Sequence, residues 1–279
     1  MKFTVAVVSI ASVLGLTSPA SAADMAVKAR PAPLPVPVFS WTGCYIGVNG
    51  GGIWSEGNRH VRPTGQFLVD PTFATRPDLL AYVTQDYRVD KSGGTAGGQI
   101  GCNFQSGAWV VGVEGDAAWT GINDSLSVTY PATPFFNGIG LLPRTVTITH
   151  QLDGLGTIRG RLGYAFDRLL VYGTGGLAIG RVRSSYLQNF FTVAAGLTDF
   201  GSASETRLGW TVGAGLEYAF SANWSAKAEY LYVDLGSFSY NAPASDDPRY
   251  LWTTTVTTRE HIGRVGINYR FNGPVVAKY

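Results

Sequence analysis

After its first residues the chain never runs apolar for the ~20 positions that a membrane-crossing helix needs. Gly, Ser, Thr or a charge interrupts every such stretch. Charge is scarce as well. Asp, Glu, Lys and Arg make up 14% of the residues and leave a net +2, which gives no basis for nucleic-acid binding. The three histidines, His60, His150 and His261, lack metal-ligand spacing, so neither metal nor cofactor is expected. What is plentiful is glycine (36 residues) and aromatics (13%), a balance opposite to that of disorder.

The N-terminus reads as an export signal. Lys2 supplies the positive region, Phe3 to Leu16 a short apolar run, and Ala20-Ser21-Ala22 a small-residue cleavage site. Residues 1–22 are therefore expected to be removed. Residues 23–40 carry Pro31, Pro33, Pro35 and Pro37, which hold an extended backbone without ladder hydrogen bonds, and read as a periplasmic spacer. In an exported chain the two cysteines suggest a disulfide.

From Trp41 to the end the dominant signal is strict alternation. Leu208, Trp210, Val212, Ala214, Leu216, Tyr218 and Phe220 occupy even positions, with Gly, Thr, Glu or Ala between them. A helix would space its apolar residues three and four apart, so this is a strand. Trp109 to Trp119, Leu152 to Phe166 and Val265 to Phe271 repeat the pattern, and Thr42–Trp54, Gly93–Phe104, Leu169–Arg183 and Trp224–Leu235 carry weaker versions. Eight strands follow.

Connections at 105–107, 167–168 and 221–223 are tight, whereas 55–92, 121–147, 184–205 and 236–254 read as long polar loops. Short turns on one side and long loops on the other predict an all-β, eight-stranded antiparallel up-and-down barrel over 41–279 in the outer membrane, turns inward to the periplasm. Aromatics beside the short turns predict an interfacial girdle. The polar face then lines a narrow lumen. Glu114, Asp116, Asp153, Glu217 and Glu229 are expected to pair there with Arg159, Arg161, Lys227, Arg264 and Arg270, because an unpaired buried charge is costly. That set could be a structural plug or an ion path.

Several segments together resemble the small alphaproteobacterial outer-membrane proteins of the RopB type, within the OmpA-like and opacity-type barrels. They are Trp41-Thr-Gly-Cys-Tyr-Ile-Gly, Gly97-Gly-Gln-Ile-Gly, Thr157-Ile-Arg-Gly-Arg-Leu-Gly-Tyr-Ala, Tyr172-Gly-Thr-Gly-Gly-Leu-Ala and Asn223-Trp-Ser-Ala-Lys-Ala-Glu-Tyr-Leu-Tyr-Val-Asp-Leu-Gly. The resemblance implies an abundant envelope protein and brings no catalytic residues. Two departures from the family stand out. Cys44 and Cys102 replace residues that are usually aromatic, and at facing ends of the first hairpin they are expected to form a lipid-facing cross-strand disulfide. The Val265, Ile267, Tyr269, Phe271 pattern resembles the C-terminal signal read by the barrel-assembly machinery, yet Asn272 to Tyr279 follow it. Either Phe271 or the terminal Tyr279 could be the recognised aromatic, and Phe271, with Tyr269, is the expected element because it continues the strand alternation.

Other motifs carry less. Gly173-Thr-Gly175-Gly-Leu-Ala178 loosely fits a dinucleotide fingerprint, but it sits inside a strand rather than before a helix. Glu260 and His261 are the starting point for a lipid hydrolase, although strand neighbours point to opposite faces. Arg59, Arg62, Arg76, Arg88 and Lys91 in the first long loop are candidates for lipopolysaccharide phosphates. The expected role is a structural barrel supporting the envelope, in contact with outer-membrane lipids and lipopolysaccharide or host. The alternatives are a small porin, an adhesin and, last, a hydrolase.

Overall fold

In the computed structural model, residues 39–132, 143–191 and 197–271 are described, with the side chains of residues 79, 82, 89 and 91 left aside. The expected signal peptide (1–22) and nearly all of the expected spacer (23–40) fall outside them, as does the tail after Phe271. Eight antiparallel strands close into a barrel in chain order. They are β1 (Gly43–Gly65), β2 (Gln85–Ser106), β3 (Trp109–Tyr130), β4 (Arg144–Phe166), β5 (Leu169–Phe190), β6 (Thr198–Ala219), β7 (Trp224–Pro243) and β8 (Tyr250–Arg270). Closure runs along β1 and β8, from Tyr45 opposite Arg270 to Gly65 opposite Tyr250.

The strands are 20 to 23 residues long, about twice what an apolar band of ~25 Å demands. Their lower halves behave as the alternation requires. Outward lie Ile46, Val48, Val111, Val113, Ile158, Leu162, Val265 and Ile267, each about half exposed or more, which only an apolar solvent tolerates over a whole belt. Trp109, Tyr164, Trp224, Tyr269 and Phe271 rim the short-turn end; Trp54, Trp119 and Trp210 rim the other. On β3, Trp109 to Trp119 matches the ~9–11 residues of one lipid crossing.

Above the second rim the polarity inverts. Val61, Val146, Ile148, Leu152, Val182, Tyr186 and Val256 point inward and pack as one apolar core. Outward stand hydroxyls that pair across strands, such as Ser127 with Thr147 at 2.9 Å and Ser239 with Thr255 at 2.8 Å. The upper half is thus a water-soluble barrel continuous with a membrane one. This corrects the expected long loops: half of 55–92 and more than half of 121–147, 184–205 and 236–254 is strand.

Three register shifts accompany the inversion. The β3–β4 pairing slips between Trp119 and Ile122, the β4–β5 pairing between Leu152 and Gly154, and the β7–β8 pairing between Asp234 and Ser237. At the last, Gly236 takes φ +72°, a region open to glycine at little cost. The connection from β1 to β2 folds over the outer mouth as a 3-10 turn (Gln66–Leu68) and two short helices, α1 (Pro71–Ala74) and α2 (Pro77–Val83). Asp70 caps α1 by accepting from Thr72 N–H at 2.7 Å and also binds the Tyr250 hydroxyl. Arg249 O accepts from Gln66 N–H at 2.8 Å, tying the cap to the β7–β8 connection.

Candidate functional site: the charged layer of the lumen

Inward positions of the lower half are mostly Gly, Asn, Gln, Thr and charged residues, with Tyr45 and Tyr172 among them, because their neighbours on each strand must face lipid. Glycine clears space for the larger ones. A Cβ on Gly101 would fall 2.5 Å from the Tyr45 hydroxyl, so the absence of a side chain on β2 lets that ring reach across.

Arg159 on β4 is the hub. Its Nη2 reaches Glu114 at 2.5 Å and Asp116 at 2.9 Å on β3, and its Nη1 reaches Glu229 on β7 at 3.0 Å. Arg264 on β8 bridges Asp116 at 2.8 Å and Glu229 at 2.6 Å. Lys227 donates to both oxygens of Glu114 at 2.9 Å. Arg161 pairs with Glu217, stacks over the Tyr172 ring at 3.5 Å from its centroid, and donates to the Tyr45 hydroxyl at 3.2 Å. Tyr45 donates onward to Glu114 at 2.6 Å. Four carboxylates and four cations, all buried, balance each other inside this ring. Removing water from ions is costly and is offset here by multidentate pairing at short range.

Two residues expected in this layer lie elsewhere. Asp153 is outside, half exposed, pairing with Arg183 at 2.9 Å. The slip between Leu152 and Gly154 reverses which positions face inward, so Leu152 joins the upper core instead of the lipid face. Arg270 is inward but below the layer. It donates to Ser40 O at 2.5 Å and sits over the rings of Phe39 and Trp41, at 4.8 and 4.9 Å. Phe39 and Ser40, assigned to the spacer from sequence, therefore belong to the barrel floor. Trp41 is fully buried there and donates its indole N–H to Asp167 O at 3.0 Å.

The lumen is thus filled in three tiers: an aromatic floor, a neutral charged layer and the apolar upper core. Cys44 and Cys102, paired in register and outward-facing at the short-turn end, form the disulfide. Tyr269 and Phe271 face outward with ring centroids 5.5 Å apart. Of the first-loop arginines, Arg62 and Arg88 stand outside in pairs with Asp86 and Asp90. Arg59, by contrast, is fully buried inside the upper barrel, because that segment is strand rather than loop. Glu260 points inward to Ser55 at 2.9 Å, while His261 faces out, 2.6 Å from the Tyr230 hydroxyl and 3.6 Å from Glu56. Among the described residues, no histidine pairs with Glu260.

Sequence reasoning missed the polar groups of the upper interior, chiefly Arg59, Asp124, His150 and Asp199. Their signal was present: Val146, Ile148, His150 and Leu152 alternate with Thr145, Thr147, Thr149 and Gln151. His150 lies well above Ile158, outside the lipid crossing, with Asp124 and Ser184 opposite it on the flanking strands and Arg59 nearby. Burial foremost, then the Arg59 charge, push its pKa down to about 3.

A family model described as outer membrane protein beta-barrel domain matches residues 9–271. The 31 kDa outer-membrane immunogenic protein of Brucella melitensis is 36% identical over 256 residues, covering 90% of this chain and 93% of that one. The 25 kDa outer-membrane immunogenic protein of Brucella abortus is 28% identical over 268 residues, covering 95% and 97%. The 22 kDa outer membrane protein of Rhizobium leguminosarum is 32% identical over 162 residues, covering 57% and 62%.

Proposed function

The chain belongs to the outer membrane protein β-barrel family and resides in the outer membrane, and on that premise we propose that it is a structural, non-catalytic and non-conducting envelope barrel. The filled lumen carries this reading. A path for ions would need charges that water can reach, whereas Arg159, Glu114, Asp116 and Glu229 are consumed by one another and the apolar core lies directly above them. Planar-bilayer recording on refolded protein tests it. Flat traces across voltages that open porins are expected; steady, voltage-independent unitary steps would replace this reading with transport.

Contact with lipopolysaccharide is the second element. Its support is the outer face just above the upper rim, where hydroxyls alternate with Arg181, Arg183 and Arg259 at the level of headgroup phosphates and sugars. Guanidinium groups bind phosphate bidentately. Reversing Arg181 and Arg183 to Glu should lower co-purifying lipopolysaccharide severalfold; an unchanged ratio would remove this element. The outward pair Tyr269 and Phe271 serves as the end-strand element read during assembly, and Phe271→Ala should slow folding into the membrane in cells.

A further inference from the structure

A cavity of about 500 Å³ lies at the outer mouth, above the apolar core. The cap supplies Phe67, Phe73 and Val83 to its wall, and the β7–β8 side supplies Tyr250 and Trp252. Its rings already form an aromatic cluster. Phe67 meets Phe73, Tyr250 and Trp252 at centroid distances of 5.1, 4.9 and 4.9 Å.

Set into this aromatic wall is Asp199, only 3% exposed. Its oxygens accept from Trp252 Nε1 at 2.9 Å, from Ser245 N–H at 2.9 Å and from Gln188 Nε2 at 3.3 Å. All three donors are neutral. Among the described residues no cation forms an ion pair with Asp199. Arg144 also lines the cavity and stacks on Tyr130, 4.7 Å from its centroid. Asp246 adds a further carboxylate at the exposed edge, while Asp247 is paired with Arg249 at 2.6 Å. The lining thus holds more negative charge than it neutralises.

These features select one ligand chemistry. A hard metal ion needs several free oxygen ligands, and Asp199 has most of its acceptor capacity occupied. An anion meets the wrong charge. A neutral apolar molecule would fill the space yet leave the buried carboxylate uncompensated, the costly arrangement. A cation whose charge is spread over an alkylated or benzylic ammonium suits both surfaces at once, since ring faces attract such cations and the volume lies within the ~300–1,000 Å³ range of small-molecule sites.

We infer that the outer mouth is a binding site for a small amphipathic organic cation, its ammonium held between Asp199 and the Phe67–Phe73–Tyr250–Trp252 ring cluster and its apolar body against the cap. The site lies above the lumen tiers, so it stands whether or not the barrel conducts.

The test is isothermal titration of refolded full-length protein in zwitterionic micelles with benzyltrimethylammonium, against benzyl alcohol and phenylacetate as neutral and anionic counterparts. Saturable binding of the cation is expected, at least tenfold tighter than either counterpart. Asp199→Asn should weaken it at least tenfold, and Phe73→Ser, which removes a partly exposed ring from the cap, severalfold. Heat-modifiable gel mobility verifies folding of each variant; if Asp199→Asn does not fold, Phe73→Ser alone decides. Absence of saturable heat, equal affinity for the three probes, or wild-type affinity in the folded variants would each overturn the inference.

Discussion

Arg159 of β4 and Glu229 of β7 meet at 3.0 Å across the lumen, bridging strands that are not neighbours in the barrel. Such a transverse strut holds the barrel cross-section in a way that ladder hydrogen bonds between adjacent strands cannot. Arg159→Ala would leave Glu114, Asp116 and Glu229 sharing Arg264 and Lys227. Stability should fall by on the order of 3–5 kcal/mol, read as a lower urea midpoint of the micelle-refolded protein. An unchanged midpoint would show that water enters and substitutes for the guanidinium.

The Cys44–Cys102 disulfide spans 58 residues of chain. Closing a loop of that length removes unfolded-state entropy worth about 4 kcal/mol in the chain-entropy treatment. The double variant Cys44→Ser, Cys102→Ser should fold to the same barrel yet unfold at lower urea, and reductant should shift the wild type and leave the double variant unaffected. The first hairpin is the place where this matters, since it also seals against β8.

Acid should weaken the upper half through His150. Unfolded, the imidazole takes a proton near pH 6.5. Folded and buried, it resists until about pH 3. Between those values the unfolded chain binds more protons, so this contribution is complete above pH 6.5 and is lost as pH falls toward 3. Going from pH 7 to 5 should cost about 2 kcal/mol from this group. His150→Leu should remove that part of the pH dependence, measured as the difference between the two urea-midpoint profiles.

Gly236 marks the slip in the β7–β8 pairing. At φ +72° an added Cβ costs about 1–2 kcal/mol, although the space beside it is open, with Arg207 Nη2 the nearest atom at 3.7 Å. Gly236→Ala should therefore destabilise by that amount without blocking assembly. A larger loss would mean that the slip itself, rather than one backbone angle, had been disturbed.

The lower half was legible because lipid allows no compromise: outward positions must be apolar, and what remains for the lumen stands out. All eight strands, the tight turn at 167–168 and eight of the ten charges expected in the lumen layer were legible, whereas the turn expected at 105–107 lies at 107–108. Beyond the upper rim water covers the outside, so Ser and Thr on outward positions resemble loop composition although Val146, Ile148 and Val256 keep the period of two. Asp153 was misplaced for a different reason. A register slip leaves no mark in composition, yet it reverses the facing of every residue beyond it. The mouth cavity was not legible, since its walls come from the cap, β4, β5, β6, the β7–β8 connection and the start of β8 at once.

The reversal of polarity at Trp54, Trp119 and Trp210 makes each strand a depth gauge. Moving the barrel outward would lift Val48, Val113 and Ile158 into water; moving it inward would drag Glu56, Asn123 and Thr147 into hydrocarbon. Vertical travel is opposed in both directions, so a bilayer of unsuitable thickness has to deform around the protein. The mouth, with its cap and cavity, is thereby held at a fixed height above the lipid, clear of the acyl chains and open to whatever passes outside the cell.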